Sequence, residues 1–261
     1  MPDPTPPAGP SAPPQAFAKT YLVASYDVGP DQRATVASVL RYLHDGAQAH
    51  AAGEGFGYRE LATWGQAWAL VAIDLAIDER PAGGGELETL TTVTRSGGPL
   101  VWRDYAARSE GRTVAEGQSL WALIDLTTRS TARTPPDLRA ALDRIAAPLQ
   151  SRVERVGRVP TRPTAHAHHG RVALTHDCDF NGHLNNVVAA AWILDAAYEV
   201  GGDPEAAAVP VARRVWLSYH HEVLRGQEVA VRYAPGDEGE VYVELRLPEG
   251  DVLAVNGVVY F

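Results

Sequence analysis

Residues 176–196 read HDCDFNGHLNNVVAAAWILDA, and the reading of the whole chain turns on this stretch. Its first part, His176 to Asn186, is dense in short polar side chains: Asp177, Asp179, Asn181, His183, Asn185 and Asn186. Its second part, Val187 to Ala197, is apolar and alanine-rich, with Trp192, Ile193 and Leu194 near its end. Asn and Asp side chains bond nearby backbone N–H groups and so favour turns and helix N-caps. The pattern predicts a strand ending near Thr175, a polar turn, then a buried helix. The start of such a helix presents unpaired N–H groups and the positive end of its dipole to whatever occupies the turn. That suits the polarisation of a carbonyl beside a histidine and two carboxylates. Turns of this composition also serve simply as caps, and the residues alone leave both readings open.

The chain has 261 residues, room for one large or two small domains. Its 45% hydrophobic and 21% charged residues are ordinary for a soluble globular protein. Cys178 is the only cysteine, so no intramolecular disulfide can form and a reducing compartment is expected. No apolar run reaches membrane-span length, and no basic-then-apolar leader opens the chain, so a cytoplasmic location is expected. The net charge of -9 argues against nucleic-acid binding.

In chain order, residues 1–16 are Pro-rich and predict a disordered tail. Strand-like sequence runs from Phe17 to Asp27. Residues 31–52 then place Val36, Val39, Leu40, Leu43 and Ala47 at helical spacing, with Asp31 positioned as a cap. Strands are predicted over 68–79, 86–96, 100–110 and 113–129, the last two joined by a tight hairpin at Gly111-Arg112. Residues 134–168 read as a linker with one helix, carrying Leu138, Leu142, Ile145 and Leu149 on one face behind Pro135, Pro136 and Asp137. The order then recurs: a strand over 170–177, the turn and helix quoted above, and strands at about 211–223, 227–234, 240–247 and 251–261. A shift of about 150 positions aligns the halves, Asp27 on Asp177 and Tyr42 on Trp192. Where the second half has Asp179, Asn181, His183 and Asn185, the first has Gly29, Asp31, Arg33 and Thr35. An α+β fold of two modules follows, 17–133 and 169–261, with the polar constellation kept only in the second.

The spacing D-x-N-x-H-x-N-N before an apolar helix resembles the signature of hotdog-fold thioesterases. Several further features are similar to the plant-type and bacterial acyl-ACP thioesterases: the Arg103-Asp104 strand, the run from Trp121 to Thr128-Arg129, and LSYHHEVLRGQEV over 217–229. The order and spacing of these motifs, from about residue 17 to the C-terminus, carry the resemblance. It implies a tandem (double) hotdog, two antiparallel sheets each wrapping a central helix. It also implies hydrolysis of fatty acyl thioesters of acyl carrier protein, with no cofactor and no metal. Its catalytic residues carry over as Asp179, Asn181, His183 and Glu222. Plant members usually have Cys after that Glu; here Val223 stands there, which excludes a cysteine nucleophile at that position.

In this reading Asp179 or Glu222 acts as general base or as nucleophile. Asn181 positions water or the carbonyl, and His183 orients a carboxylate or shuttles a proton. Backbone N–H groups of about Gly182 to Asn185 hold the oxyanion. The first module, with Trp64, Trp68, Trp102 and Trp121, encloses the acyl chain or uses them as plain core. An acidic carrier protein requires a local basic patch, for which Arg152, Arg155, Arg158, Arg162, Arg213 and Arg214 are candidates. A homodimer is compatible with the sequence. The histidines His166, His168, His169 and His176 lack the spacing of a zinc site. The alternatives are an acyl-CoA thioesterase, a hotdog dehydratase and a non-catalytic acyl-binding module.

Overall fold

The computed structural model describes residues 16–147, 152–153, 156–201 and 211–261. The expected tail therefore lies outside the described residues except for Ala16, as do Leu149 and Arg155. The first copy of the repeat opens with β1 (Phe17–Leu22) and a 3-10 turn over Ser25–Asp27. Helix α1 follows (Val36–Gly53). The strand thus ends earlier than its apolar pattern suggests, because the chain must turn to enter the helix. Thr35, not Asp31, is the N-cap: its hydroxyl accepts the N–H of Ser38 at 3.0 Å. Asp31 instead accepts the N–H of Arg33 at 3.2 Å and pairs with Arg80.

Val36, Val39, Leu40, Leu43 and Ala47 are all buried, as their spacing requires. Burying one such leucine contributes about 2 kcal/mol. A short helix that the sequence pattern did not announce, α2 (Tyr58–Thr63), leads into β2 (Gln66–Ile77), β3 (Glu86–Gly97), β4 (Leu100–Ser109) and β5 (Arg112–Asp125). The β4–β5 turn is Glu110-Gly111, one residue earlier than expected. Ser109 pairs with Arg112, and both turn residues have positive φ, 52° and 74°. That geometry matches strand twist, and glycine adopts it without steric cost.

Helix α3 (Pro136–Ile145) buries Leu138, Leu142 and Ile145 against the first sheet. The following segment crosses the sheet as a strap. Val156 and Val159 are buried, and their N–H groups donate to Gln118 Oε1 (2.9 Å) and Ser218 Oγ (2.6 Å). Arg152 pairs with Asp78 and Glu116, and Arg162 with Glu240. Arg158 donates to the Tyr219 carbonyl at 2.9 Å. These arginines fasten the linker to its own chain. They do not form the open basic patch expected for an acidic partner.

The second copy begins with the short strands β6 (His166–Ala167) and β7 (Arg171–Val172), then a 3-10 turn over Thr175–Asp177 and helix α4 (Asn186–Gly201). Strands β8 (Arg214–Tyr219), β9 (Glu228–Pro235), β10 (Glu240–Leu247) and β11 (Val252–Tyr260) complete it. The sheet order is β1-β3-β4-β5-β2-β8-β11-β10-β9-β6, with β7 also on β9. Each half has the same internal order, and the two sheets join edge to edge through β2 and β8, from Ala72↔Ser218 to Ala76↔Arg214. Arg214 clamps this seam through two bonds to the buried Asp74, at 2.8 and 2.6 Å. Helices α1 and α4 pack on the same side, within one apolar core that spans both copies. The architecture is an α+β double hotdog.

Candidate active site

The two turns superimpose in their backbone bonding. In the first copy Gly29 N–H donates to Arg33 O, Gln32 N–H to Gly29 O and Thr35 N–H to Asp27 O, at 2.8, 2.9 and 3.0 Å. In the second, Asp179 N–H donates to His183 O, Gly182 N–H to Asp179 O and Asn185 N–H to Asp177 O, at 2.8, 3.0 and 2.8 Å. Asn185 caps α4 by accepting the Val187 N–H at 2.8 Å. The left-handed position falls on Gly182 (φ 76°) in the second copy and on Gln32 (φ 60°) in the first.

On this frame the four expected site residues are brought into one region. Asp179 Oδ1 accepts the N–H of Asn181 at 2.8 Å and of His183 at 3.3 Å, and its Oδ2 meets the Asn181 amide at 3.4 Å. His183 Nε2 faces Glu222 Oε2 at 3.4 Å. Glu222 also pairs with Arg129, which reaches it from the first copy. Arg129 sits at positive φ (57°), and its N–H donates to Asp125 O at 2.9 Å. Asp125 Oδ1 also accepts the N–H groups of Thr127 and Thr128, and these bonds hold its carboxyl below the usual range. The W-x6-T-R spacing placed Arg129 in a motif, but its use on Glu222 required the fold.

The N–H groups of Gly182 to Asn185, expected to hold an oxyanion, are all consumed inside the turn or by Val223 O. Among the described residues, no partner is found for the N–H groups of Asn186 and Val188 at the start of α4. Those are the donors the helix start leaves open. Tyr219 anchors this end by donating to Asn186 O at 2.9 Å, and burial pushes its phenol well above the usual range.

A cavity of about 540 Å³ adjoins the turn, inside the range of roughly 300–1,000 Å³ common for small-molecule sites. Asp179, Asn181 and the α4 start line it; His183 and Glu222 are not among its lining residues. Its other walls come from the first copy: the outward face of α1, α2, and Trp68, Val101 and Trp121 of the sheet. Phe56, Val101 and Leu142 belong to a dry cluster at one wall. Of the four tryptophans, Trp68 and Trp121 line the cavity, Trp102 is buried elsewhere with its N–H on Val156 O, and Trp64 is half exposed. Tyr58 and Phe180, one from each copy, bring their rings within 4.7 Å.

Cys178 also lines the cavity, and of the four histidines only His168 and His169 meet, ring edge to ring face with centroids 5.3 Å apart. His166 stacks on Tyr233, His168 bonds Glu199 and His176 lines the cavity. Sequence reading missed Arg41, His44, Gln48 and Arg103 as cavity residues. The first three share one face of α1, a signal masked by attention to the apolar face.

The acyl-ACP thioesterase N-terminal domain matches residues 14–142, and the acyl-ACP thioesterase C-terminal domain residues 161–253. The chain belongs to the acyl-ACP thioesterase family. Among curated relatives, it is 25% identical over 193 residues to a chloroplastic palmitoyl-acyl carrier protein thioesterase of Arabidopsis thaliana, and 26% identical over 192 to a dodecanoyl-[acyl-carrier-protein] hydrolase of Cinnamomum camphora. Each alignment covers 69% of this chain, and 47% and 50% of the relative. The chain thus spans about half the length of the curated relatives it matches. An acyl-ACP thioesterase from Bacteroides thetaiotaomicron has the same fold, with TM-score 0.81, 22% identity, and 94% of this chain and 97% of that one covered. So does a 12:0-ACP thioesterase from Umbellularia californica, with TM-score 0.79, 19% identity and 94% and 96% covered. Among the described residues no helix is long and apolar enough to cross a membrane.

Proposed function

We propose that this chain hydrolyses the thioester between a fatty acyl group and acyl carrier protein, releasing the free acid. The observation that carries the reading is the position of Asp179 and Asn181 on a cavity whose other walls are supplied by the first copy. The acyl chain lies against Trp68, Trp121 and the Phe56–Val101–Leu142 wall. Its thioester carbonyl then sits at the start of α4, where the Asn186 and Val188 N–H groups are the oxyanion donors.

Asp179 is oriented by the turn and lines the cavity, whose other lining carboxylate, Asp45, is paired with Lys19 and Tyr21, so Asp179 acts as general base or nucleophile. Asn181 positions the carbonyl or the water. His183, between the turn and Glu222, relays the proton toward the leaving thiolate, with Arg129 keeping Glu222 in place. The partner is the carrier protein, and the arginines left for it exclude the strap pairs described above.

Thiol release from acyl-ACP and acyl-CoA series, with Asp179→Asn as control, tests this. Chain-length-selective release from acyl-ACP, lost in the variant, is expected. Release confined to acyl-CoA would replace the substrate class, and unchanged release by Asp179→Asn would overturn the site.

A further inference from the structure

Large apolar side chains that reach the surface singly need no explanation, whereas several converging on one edge mark a place where something binds. Three converge here. Tyr58 of α2, Leu126 of the loop after β5 and Phe180 of the second turn are 43%, 40% and 71% exposed, and all three line the cavity. Side chains that line a cavity and also meet solvent mark its mouth. The Tyr58 and Phe180 rings, one from each copy, lie 4.7 Å apart and are tilted by 35°. Leu126 is tied to the far end of α2, its N–H donating to Gly65 O at 2.8 Å. The cavity also meets solvent along α1, but there through the polar side chains of Arg41, Asp45 and Gln48.

The apolar mouth belongs to the reacting end. Phe180 stands in the chain between Asp179 and Asn181, and both of those line the cavity. A thioester seated with its carbonyl at the start of α4 has two sides. The acyl side runs inward to the dry wall of Phe56, Val101 and Leu142. The thiol side leaves through the mouth. In thioesters of carrier proteins and of coenzyme A that side is the same chain, methylenes interrupted by two secondary amides. Its methylenes and flat amide faces suit exposed aromatic rings, which offer a large rigid contact. Its amide N–H and C=O groups need polar neighbours, and the exposed lining residues Asn181 and His176 carry both donors and acceptors.

We propose that Tyr58 and Phe180 form an aromatic clamp at the cavity mouth that holds this amide-bearing thiol arm and so selects the leaving group. This rests on the reading of the cavity as an acyl-thioester site. The Tyr58 hydroxyl is already used, accepting from Arg59 Nε at 2.9 Å, so the clamp is made by the rings.

The test is kcat/KM for two acyl groups of different length, each carried on ethanethiol, pantetheine, coenzyme A and carrier protein. In the parent, pantetheine is expected to exceed ethanethiol by about tenfold, mostly through KM, the size of one or two aromatic contacts. Phe180→Ala or Tyr58→Ala should bring this ratio toward one, while Tyr58→Phe and Phe180→Tyr should keep it. The ratio is taken on one preparation, so partial unfolding of a variant does not alter it, and the thiols' own reactivities cancel between variant and parent. Coenzyme A and carrier protein should lose the same factor as pantetheine, since the arm is shared. A ratio that survives both alanine variants, a loss confined to the carrier protein, or a loss that follows acyl length instead of the thiol overturns the clamp. Calorimetric binding of an acyl-pantetheine with an amide nitrogen in place of sulfur separates the two readings. Binding weakened about tenfold by Phe180→Ala, in a protein that hydrolyses no thioester, would keep the clamp and overturn the hydrolase.

Discussion

The two turn-and-helix copies share one backbone and differ in charge. In the first, each carboxylate has a partner at home: Arg80 on Asp31, Arg33 on Glu79, and Arg41 with Tyr42 on the buried Asp27. The second places Glu222 where the first has Arg80, since the bridges Arg33↔Ala82 and His183↔Leu224 align the two loops. Glu222 faces His183 there, and its cation, Arg129, is borrowed from the other copy. A duplicated frame has therefore become a self-neutralised support in one half and a polarised site in the other. The lesson is that the same backbone bonds recur in both turns while the side chains set on them differ in charge and in pairing.

The largest effect that would break this comparison is catalytic. Asp179→Asn or Glu222→Gln is expected to lower kcat by about 10²–10⁴, with an unchanged melting temperature. Asp31→Asn in the first copy should leave kcat near the parent value. Equal losses in both copies would mean that the first turn also does chemistry.

The helices should separate next, by pH. Helix α1 holds His44 and His50, both pushed down to about 4, by burial and, for His50, also by the Arg103 charge. Helix α4 contains no histidine. Unfolded, these histidines take up protons below about pH 6.5, while in the fold they resist protonation. Their contribution is thus complete above about 6.5 and drains away as pH falls toward 4, by up to roughly 3 kcal/mol for the buried His50. Urea midpoints at pH 7 and 5 should fall less in a His44→Leu/His50→Gln double variant than in the parent.

Asp27→Ala should cost about 2 kcal/mol, since it strands the Tyr42 hydroxyl and Arg41, whose exposure moderates the loss. The matching Asp177→Ala removes only the bond from Leu174 N–H at 2.8 Å and should cost about 1 kcal/mol. The smallest difference lies at the left-handed position. Gln32→Gly should stabilise by a few tenths to about 1 kcal/mol, and Gly182→Ala should destabilise by about 1 kcal/mol. Chemical denaturation of the four variants measures both pairs.

Much of this was legible because it depends on local periodicity. The apolar spacing of α1, the alanine-rich α4, the β strands and the offset of about 150 between copies all stand in the sequence, as do Asp179, Asn181, His183 and Glu222 in their motifs. Helix α2 was missed because its six residues are too short to show a period. The linker arginines read as surface charge because their carboxylate partners are distant in sequence.

By itself, then, the sequence determined the repeated elements, the α+β class and the polar turn, since turn preference and burial pattern are properties of neighbouring residues. Only the tertiary structure decided what those residues face. The β2–β8 seam merged the sheets, Arg129 reached Glu222 across 93 residues, the turn consumed its own N–H groups, and one face of α1 became a cavity wall. Each is a contact between segments far apart in the chain, fixed by packing and not by local preference.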